Sequence, residues 1–125
     1  MLRLPAFEYL APRTIAEAIH VFADAGPETM LVAGDTDLYP NMKRRQFEPR
    51  TLVGLRAIPE LLGVRGNAAH GLSIGAVTTL TSVASHPEVV RHYGAVASAA
   101  GLVSSPQLRN MGTVGGNLCV DTRCN

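Results

Sequence analysis

Thr29-Met30-Leu31-Val32-Ala33-Gly34-Asp35-Thr36-Asp37-Leu38 is the stretch on which the reading of this chain turns. Its first four residues form a short apolar run bounded by turn formers, as expected of a buried strand. Gly34 and Asp35 then break the pattern, because glycine admits close backbone approach and aspartate tolerates a left-handed conformation better than most residues with a side chain. A turn of this kind at the carboxyl end of a strand aims successive N–H groups at one oxygen-rich ligand, and phosphate is the natural guest. Thr36 adds a hydroxyl donor. Asp35 and Asp37 cut the other way, since a carboxylate aimed at a phosphate repels it; both must face away, bind ribose hydroxyls or cap the helix that follows. The same residues also fit an ordinary capped turn with no ligand.

On the N-terminal side, Thr14-Ile15-Ala16-Glu17 is a capping box, and Ile15, Ala18, Ile19 and Phe22 recur at helical spacing until Gly26-Pro27 stops the helix. On the C-terminal side, residues 38–46 predict a short helix despite Pro40, and Thr51-Leu52-Val53 predicts a second strand. Together they make a β-α-β start with parallel pairing and a right-handed crossover. Residues 62–77 predict a hairpin, with Val64 and Leu72-Ser73-Ile74 around a turn rich in Gly66, Asn67 and Gly71. Thr78 or Thr79 caps a helix running toward Ser85, His86-Pro87 restarts the chain, and residues 93–102 form an alanine-rich helix ended by Ser104-Ser105-Pro106.

A second loop follows at Arg109-Asn110-Met111-Gly112-Thr113-Val114-Gly115-Gly116-Asn117-Leu118, which reads as too glycine-rich for a regular element. Gly112 and the pair Gly115-Gly116 suit a chain passing against a flat or bulky ligand, with Thr113 and Asn117 as polar contacts. A tight crossing of two backbone segments explains them equally well. The glycine spacing matches neither a Rossmann fingerprint nor a Walker loop.

The 125 residues are 46% hydrophobic, enough for one packed domain or subdomain without internal repeats, and 11 basic residues balance 10 acidic ones. Nothing in that balance marks a nucleic-acid or anionic-membrane partner. No apolar stretch reaches the roughly 20 residues that span a bilayer, and Met1-Leu2-Arg3-Leu4-Pro5 opens no signal pattern, so a cytoplasmic location is expected. Cys119 and Cys124 make no disulfide framework and fit neither a usual zinc spacing nor a redox Cys-x-x-Cys; they read as a local thiol site or as two inert thiols. His20, His70, His86 and His92 are scattered, and Lys43-Arg44-Arg45 reads as a solvated helix face or a patch steering an acidic partner. No nucleophile–base–acid set is present, which suits a chain whose chemistry belongs to a cofactor. Asp121-Thr122-Arg123-Cys124-Asn125 follows the second loop with no element to cover it, so a longer polypeptide continuing at the C-terminus is expected.

The two loops together resemble the FAD-binding, medium-sized subunits of the molybdenum hydroxylase family, the group of xanthine dehydrogenase and carbon monoxide dehydrogenase. The resemblance extends through Ile74-Gly75-Ala76-Val77-Thr78-Thr79-Leu80 to essentially the whole chain. It implies an α+β fold, the N-terminal part of a vanillyl-alcohol-oxidase-like FAD-binding domain over residues 1–125, truncated at its C-terminus. It implies FAD as cofactor, with Leu31, Val32, Ala33, Gly34, Asp35, Thr36, Asp37 and Leu38 around the diphosphate. Thr113, Val114, Gly115, Gly116 and Asn117 would lie beside the isoalloxazine, with Val103 near it. Relatives commonly carry glycine where this chain has Asp35. The run Asn117-Leu118-Cys119-Val120-Asp121-Thr122-Arg123-Cys124 is similar to the β subunit of 4-hydroxybenzoyl-CoA reductase. That likeness implies a 4Fe-4S cluster in the full-length subunit with Cys124 as its first ligand and the others downstream, since one thiolate cannot hold a cluster.

The function implied is that of an electron-transfer flavoprotein subunit of an oxidoreductase, with no catalytic residue of its own. It exchanges electrons between an external donor or acceptor, such as ferredoxin, and partner subunits carrying 2Fe-2S clusters and molybdenum cofactor. The alternative is a non-catalytic docking or assembly module without bound flavin.

Overall fold

A computed structural model describes residues 2–120, and the chain divides into two compact units, Met1–Leu61 and Leu62–Asn125. The first unit is a three-stranded parallel sheet of order β1-β3-β2, with β1 at Glu8–Leu10, β2 at Thr29–Val32 and β3 at Thr51–Gly54. Helix α1 (Ile15–Asp24) joins β1 to β2, and α2 (Leu38–Lys43) joins β2 to β3. The strand, short helix and strand expected across residues 29–53 are therefore all present, and the pairing is parallel. Strand β1 had no signal of its own in the sequence: three residues between prolines become a strand because β3 offers them a partner, Tyr9 lying opposite Leu52.

The central strand β3 is buried along its whole length, as a parallel strand covered on both faces must be. Alternation sorts the side chains. Met30, Val32 and Leu52 share the face that packs on Met42 of α2, with Phe7, Leu38, Tyr39 and Phe47 around them. Leu31 and Val53 point to the opposite face, where α1 packs. Thr14 caps α1, its Oγ1 accepting from the Glu17 amide at 3.1 Å, while the Glu17 carboxylate reaches back to the Arg13 amide at 2.8 Å. Gly26, at φ +82°, ends the helix in the left-handed region. Of the apolar positions at helical spacing only Ala18 is buried; Ile15, Ile19 and Phe22 stay exposed and line an apolar groove with Leu31, Leu55, Ile58 and Leu61.

The second unit opens with the expected hairpin, β4 (Val64–Asn67) antiparallel to β5 (Gly71–Ile74). Asn67 Oδ1 accepts from the amides of Ala69 and His70 and so shapes the turn. Helices α3 (Leu80–Ser85), α4 (Pro87–His92) and α5 (Gly94–Leu102) follow, Thr79 capping the first by accepting from the Ser82 amide. Their shared core is Leu80, Val83, Val89, Ala97 and Ala100, with Ile74, Val103 and Val114 packed against it. Small side chains let α3 and α5 approach closely. Two further helices follow: α6 (Pro106–Arg109), starting at the Ser104-Ser105-Pro106 breaker, and α7 (Val114–Leu118), which lies where the glycine content argued against regular structure. That expectation is corrected: Thr113 Oγ1 accepts from the Gly116 amide at 3.2 Å, and the cap sustains one short helix in spite of two glycines. No helix among the described residues is long and apolar enough to cross a membrane.

Leu52 is fully buried in the central strand. We expect Leu52→Ala to lower the stability of the first unit by about 2–5 kcal/mol, measured by urea unfolding with a probe in that unit; a change under about 1 kcal/mol would mean that β3 is not its core.

Candidate functional site

Residues 31–38 form one continuous feature of the first unit: the second half of β2, a turn, and the start of α2. Val32 pairs with Gly54 and its carbonyl accepts from the Leu55 amide at 2.9 Å, which holds the turn at the carboxyl end of the sheet. Gly34 is buried and Asp35 takes φ +67°, the left-handed conformation its short polar side chain tolerates. The Asp35 carbonyl accepts from the Tyr39 amide at 3.4 Å, locking the turn to α2. Asp37 precedes α2 and faces along it: Asn41 Nδ2 donates to the Asp37 carbonyl at 2.8 Å and to its Oδ1 at 3.1 Å. One of the two carboxylates is thus occupied with the helix start. The other lies in a half-buried setting, where burial raises the Asp35 carboxyl above its ordinary value of 3.8 while the nearby Arg56 guanidinium pulls it back down. Burial, and the charges of Asp35 and Tyr9, in turn push the Tyr39 phenol up.

The second loop is tied to the segment between β5 and α3 by a run of backbone bonds. The Gly115 amide donates to the Ala76 carbonyl at 2.8 Å, the Val114 amide to Thr78 at 2.9 Å, and the Leu80 amide to Gly112 at 2.9 Å, around a Thr79–Thr113 bridge. Thr113 is buried. The adjacent glycines have different reasons to be glycine. A Cβ on Gly115 would sit 2.8 Å from both the Cβ and the carbonyl oxygen of Ala76, so the close crossing of backbones accounts for it. At Gly116 a Cβ would meet Thr113 Oγ1, the capping hydroxyl, at 3.0 Å, a tight contact with the end of a side chain, and the position is otherwise exposed.

Val103 ends α5, and its carbonyl accepts from Arg109 Nη1 at 2.9 Å while Ser104, at φ +48°, accepts from the same nitrogen at 3.0 Å. Val103 and Val114 pack against the same core of the second unit and Thr113 is buried between Gly112 and Val114 in the chain, while Gly116 and Asn117 are exposed. Residues 31–38 are grouped in the first unit. Cys124 lies outside the described residues; Cys119 is a free, exposed cysteine. Among the described residues no group of three or more His, Cys, Asp or Glu is placed to hold a metal. Arg56 carries no signal in the sequence beyond its place two residues after the end of β3.

Two outcomes follow from this geometry. Gly115→Ala should cost about 1–3 kcal/mol by overpacking against Ala76, whereas Gly116→Ala should stay within about 1 kcal/mol of wild type; equal melting shifts would contradict the division between the two glycines. A raised folded-state carboxyl means that protonation of Asp35 favours folding, so its contribution is fully present below the ordinary value of 3.8 and is lost as pH rises through the folded value. Asp35→Asn should therefore gain stability over wild type as pH climbs from the acid range toward neutrality, and a difference flat with pH would refute the buried setting.

Residues 5–124 match the family model of the FAD binding domain in molybdopterin dehydrogenase. The carbon monoxide dehydrogenase medium chain of Hydrogenophaga pseudoflava is 39% identical over 114 residues, covering 91% of this chain and 39% of that protein. The nicotinate dehydrogenase FAD-subunit of Eubacterium barkeri is 38% identical over 117 residues, covering 90% of this chain and 38% of that protein. Among solved structures, carbon monoxide dehydrogenase from Hydrogenophaga pseudoflava superposes with a TM-score of 0.87 at 38% identity, over 93% of this chain and 40% of that one. Quinoline 2-oxidoreductase from Pseudomonas putida 86 superposes with a TM-score of 0.85 at 33% identity, again over 93% of this chain and 40% of that one. The chain thus spans about two-fifths of the length of the relatives it matches, and within that span, with its parallel sheet, hairpin and two glycine loops, it belongs to the family of FAD binding domains in molybdopterin dehydrogenase.

Proposed function

We propose that this chain contributes the flavin-holding loops of an FAD-carrying medium subunit in a molybdenum-dependent oxidoreductase complex. Residues 31–38 wrap the diphosphate, and Val103 with Thr113, Val114, Gly115, Gly116 and Asn117 receives the isoalloxazine. The observation that carries this reading is Gly116, an exposed glycine in a capped turn, where a Cβ would press on nothing but the Thr113 capping hydroxyl, at 3.0 Å. The left-handed turn at Asp35, launched from the carboxyl end of a parallel strand, supports it, because that is where α/β sheets receive ligands. Bound FAD would supply the exchange of electrons between two-electron and one-electron partners. The chain's own residues bind and orient: Gly34 and Asp35 shape the turn, the Thr113 hydroxyl fixes the Gly116 amide, and Arg109 braces Val103.

Partners follow from the relatives. An iron–sulfur subunit and a molybdenum-cofactor subunit complete the complex, with ferredoxin or another external donor or acceptor at the flavin. Within that frame we assign the finer activity to 4-hydroxybenzoyl-CoA reductase, on the strength of the Asp121-Thr122-Arg123-Cys124 run, with Cys124 opening a 4Fe-4S site. A docking module without flavin is the second reading, favoured by Leu102 and Leu118, which are 80% and 79% exposed.

The deciding experiment is the absorption spectrum of the complete subunit, with FAD quantified after denaturation and iron and sulfide assayed beside it. Gly116→Val should leave the circular dichroism unchanged and strip most of the flavin. Wild type that is folded yet colourless would favour the docking module; flavin without iron would remove the reductase assignment and leave a related hydroxylase.

A further inference from the structure

The turn at residues 33–37 carries two carboxylates where a diphosphate is proposed to lie, and like charges at close range repel unless something answers them. Asp37 is answered within its own helix, by Asn41 Nδ2 at 3.1 Å from Oδ1. The answer to Asp35 comes from the neighbouring strand. Strands β2 and β3 run parallel with Val32 opposite Gly54, and the Leu55 amide donates to the Val32 carbonyl at 2.9 Å. The segments after Val32 and after Gly54 therefore leave the sheet side by side, at its carboxyl end, with Asp35 three residues beyond the one and Arg56 two residues beyond the other. Its charge acts on the Asp35 carboxyl, drawing it down against the upward push of burial.

We infer that Arg56 is a charge-compensating residue of the flavin site: from the end of β3 it neutralises Asp35, so that the turn offers its amides to the diphosphate without net repulsion. This rests on the flavin reading proposed above. Arg56 acts through Asp35, as a positioning residue, and its planar guanidinium suits the task because its fork of donors matches a carboxylate.

The test is a double-variant cycle in the complete subunit, reading FAD affinity by fluorescence titration of the apoprotein. Arg56→Gln alone should weaken binding about fivefold, the scale of a partly exposed ion pair. Adding Asp35→Asn should restore affinity to within about twofold of wild type, because the charge needing compensation is gone. Equal loss in the single and double variants overturns the inference, for Arg56 would then act on the cofactor directly; so does unchanged affinity in Arg56→Gln. A second readout needs no flavin. The Asp35 carboxyl, followed by carbon NMR in the apoprotein, should titrate higher in Arg56→Gln than in wild type, and an unmoved titration overturns the pairing whatever the affinities. Wild type that binds no FAD sinks the flavin reading instead, and the titration still decides whether the pair exists.

Discussion

The burial of β3 between two parallel neighbours is the constraint from which the first unit follows. A strand covered on both faces needs an apolar centre, and the fully buried Leu52 and Val53 supply it. Its partners need less: β1 is three residues long, and β2 leaves Leu31 exposed on one face. Because β2 lies in register with the centre, its carboxyl end is fixed, and the turn through Gly34 and Asp35 inherits that fixity. The geometry of the proposed diphosphate turn is thus decided by hydrophobic burial several residues away. Local polarity then adjusts the charge.

In the second unit the corresponding constraint is close backbone approach. Three backbone hydrogen bonds link residues 76–80 to residues 112–115, and the bond from Gly115 to Ala76 is possible only because no side chain stands at Gly115. The crossing holds the capped turn that presents Gly116. Of the two readings of the glycine loop, the tight crossing accounts for Gly115, while Gly116 stands on the exposed side of the capped turn.

Much of this was legible in the chain because the signals are local. Thr14 with Glu17, Thr79, Gly26-Pro27 and the glycine-flanked hairpin each announce an element through their own hydrogen bonds or backbone preferences. The alanine-rich helix declared itself by composition. What stayed hidden was decided at a distance. Strand β1 exists because β3 pairs with it, and nothing in Glu8-Tyr9-Leu10 says so. Helix α7 was masked by its glycines, although Thr113, its cap, was in view. The apolar spacing of α1 suggested a buried face, yet the sheet covers only Ala18. The loops of the proposed site could be picked out by their glycines, whereas Arg56 could be found only by knowing which strand ends are neighbours.

The strand order has a consequence in time as well as in space. The chain makes β1 first, β2 second and β3 last, but β3 is the middle of the sheet. Neither outer strand has a hydrogen-bonding partner until the residues of β3 have been synthesised, and the two segments that flank α1 must wait with their backbone groups exposed to water. On a translating ribosome the sheet therefore closes in one late event, when Thr51–Gly54 has cleared the exit tunnel and slots between strands already made.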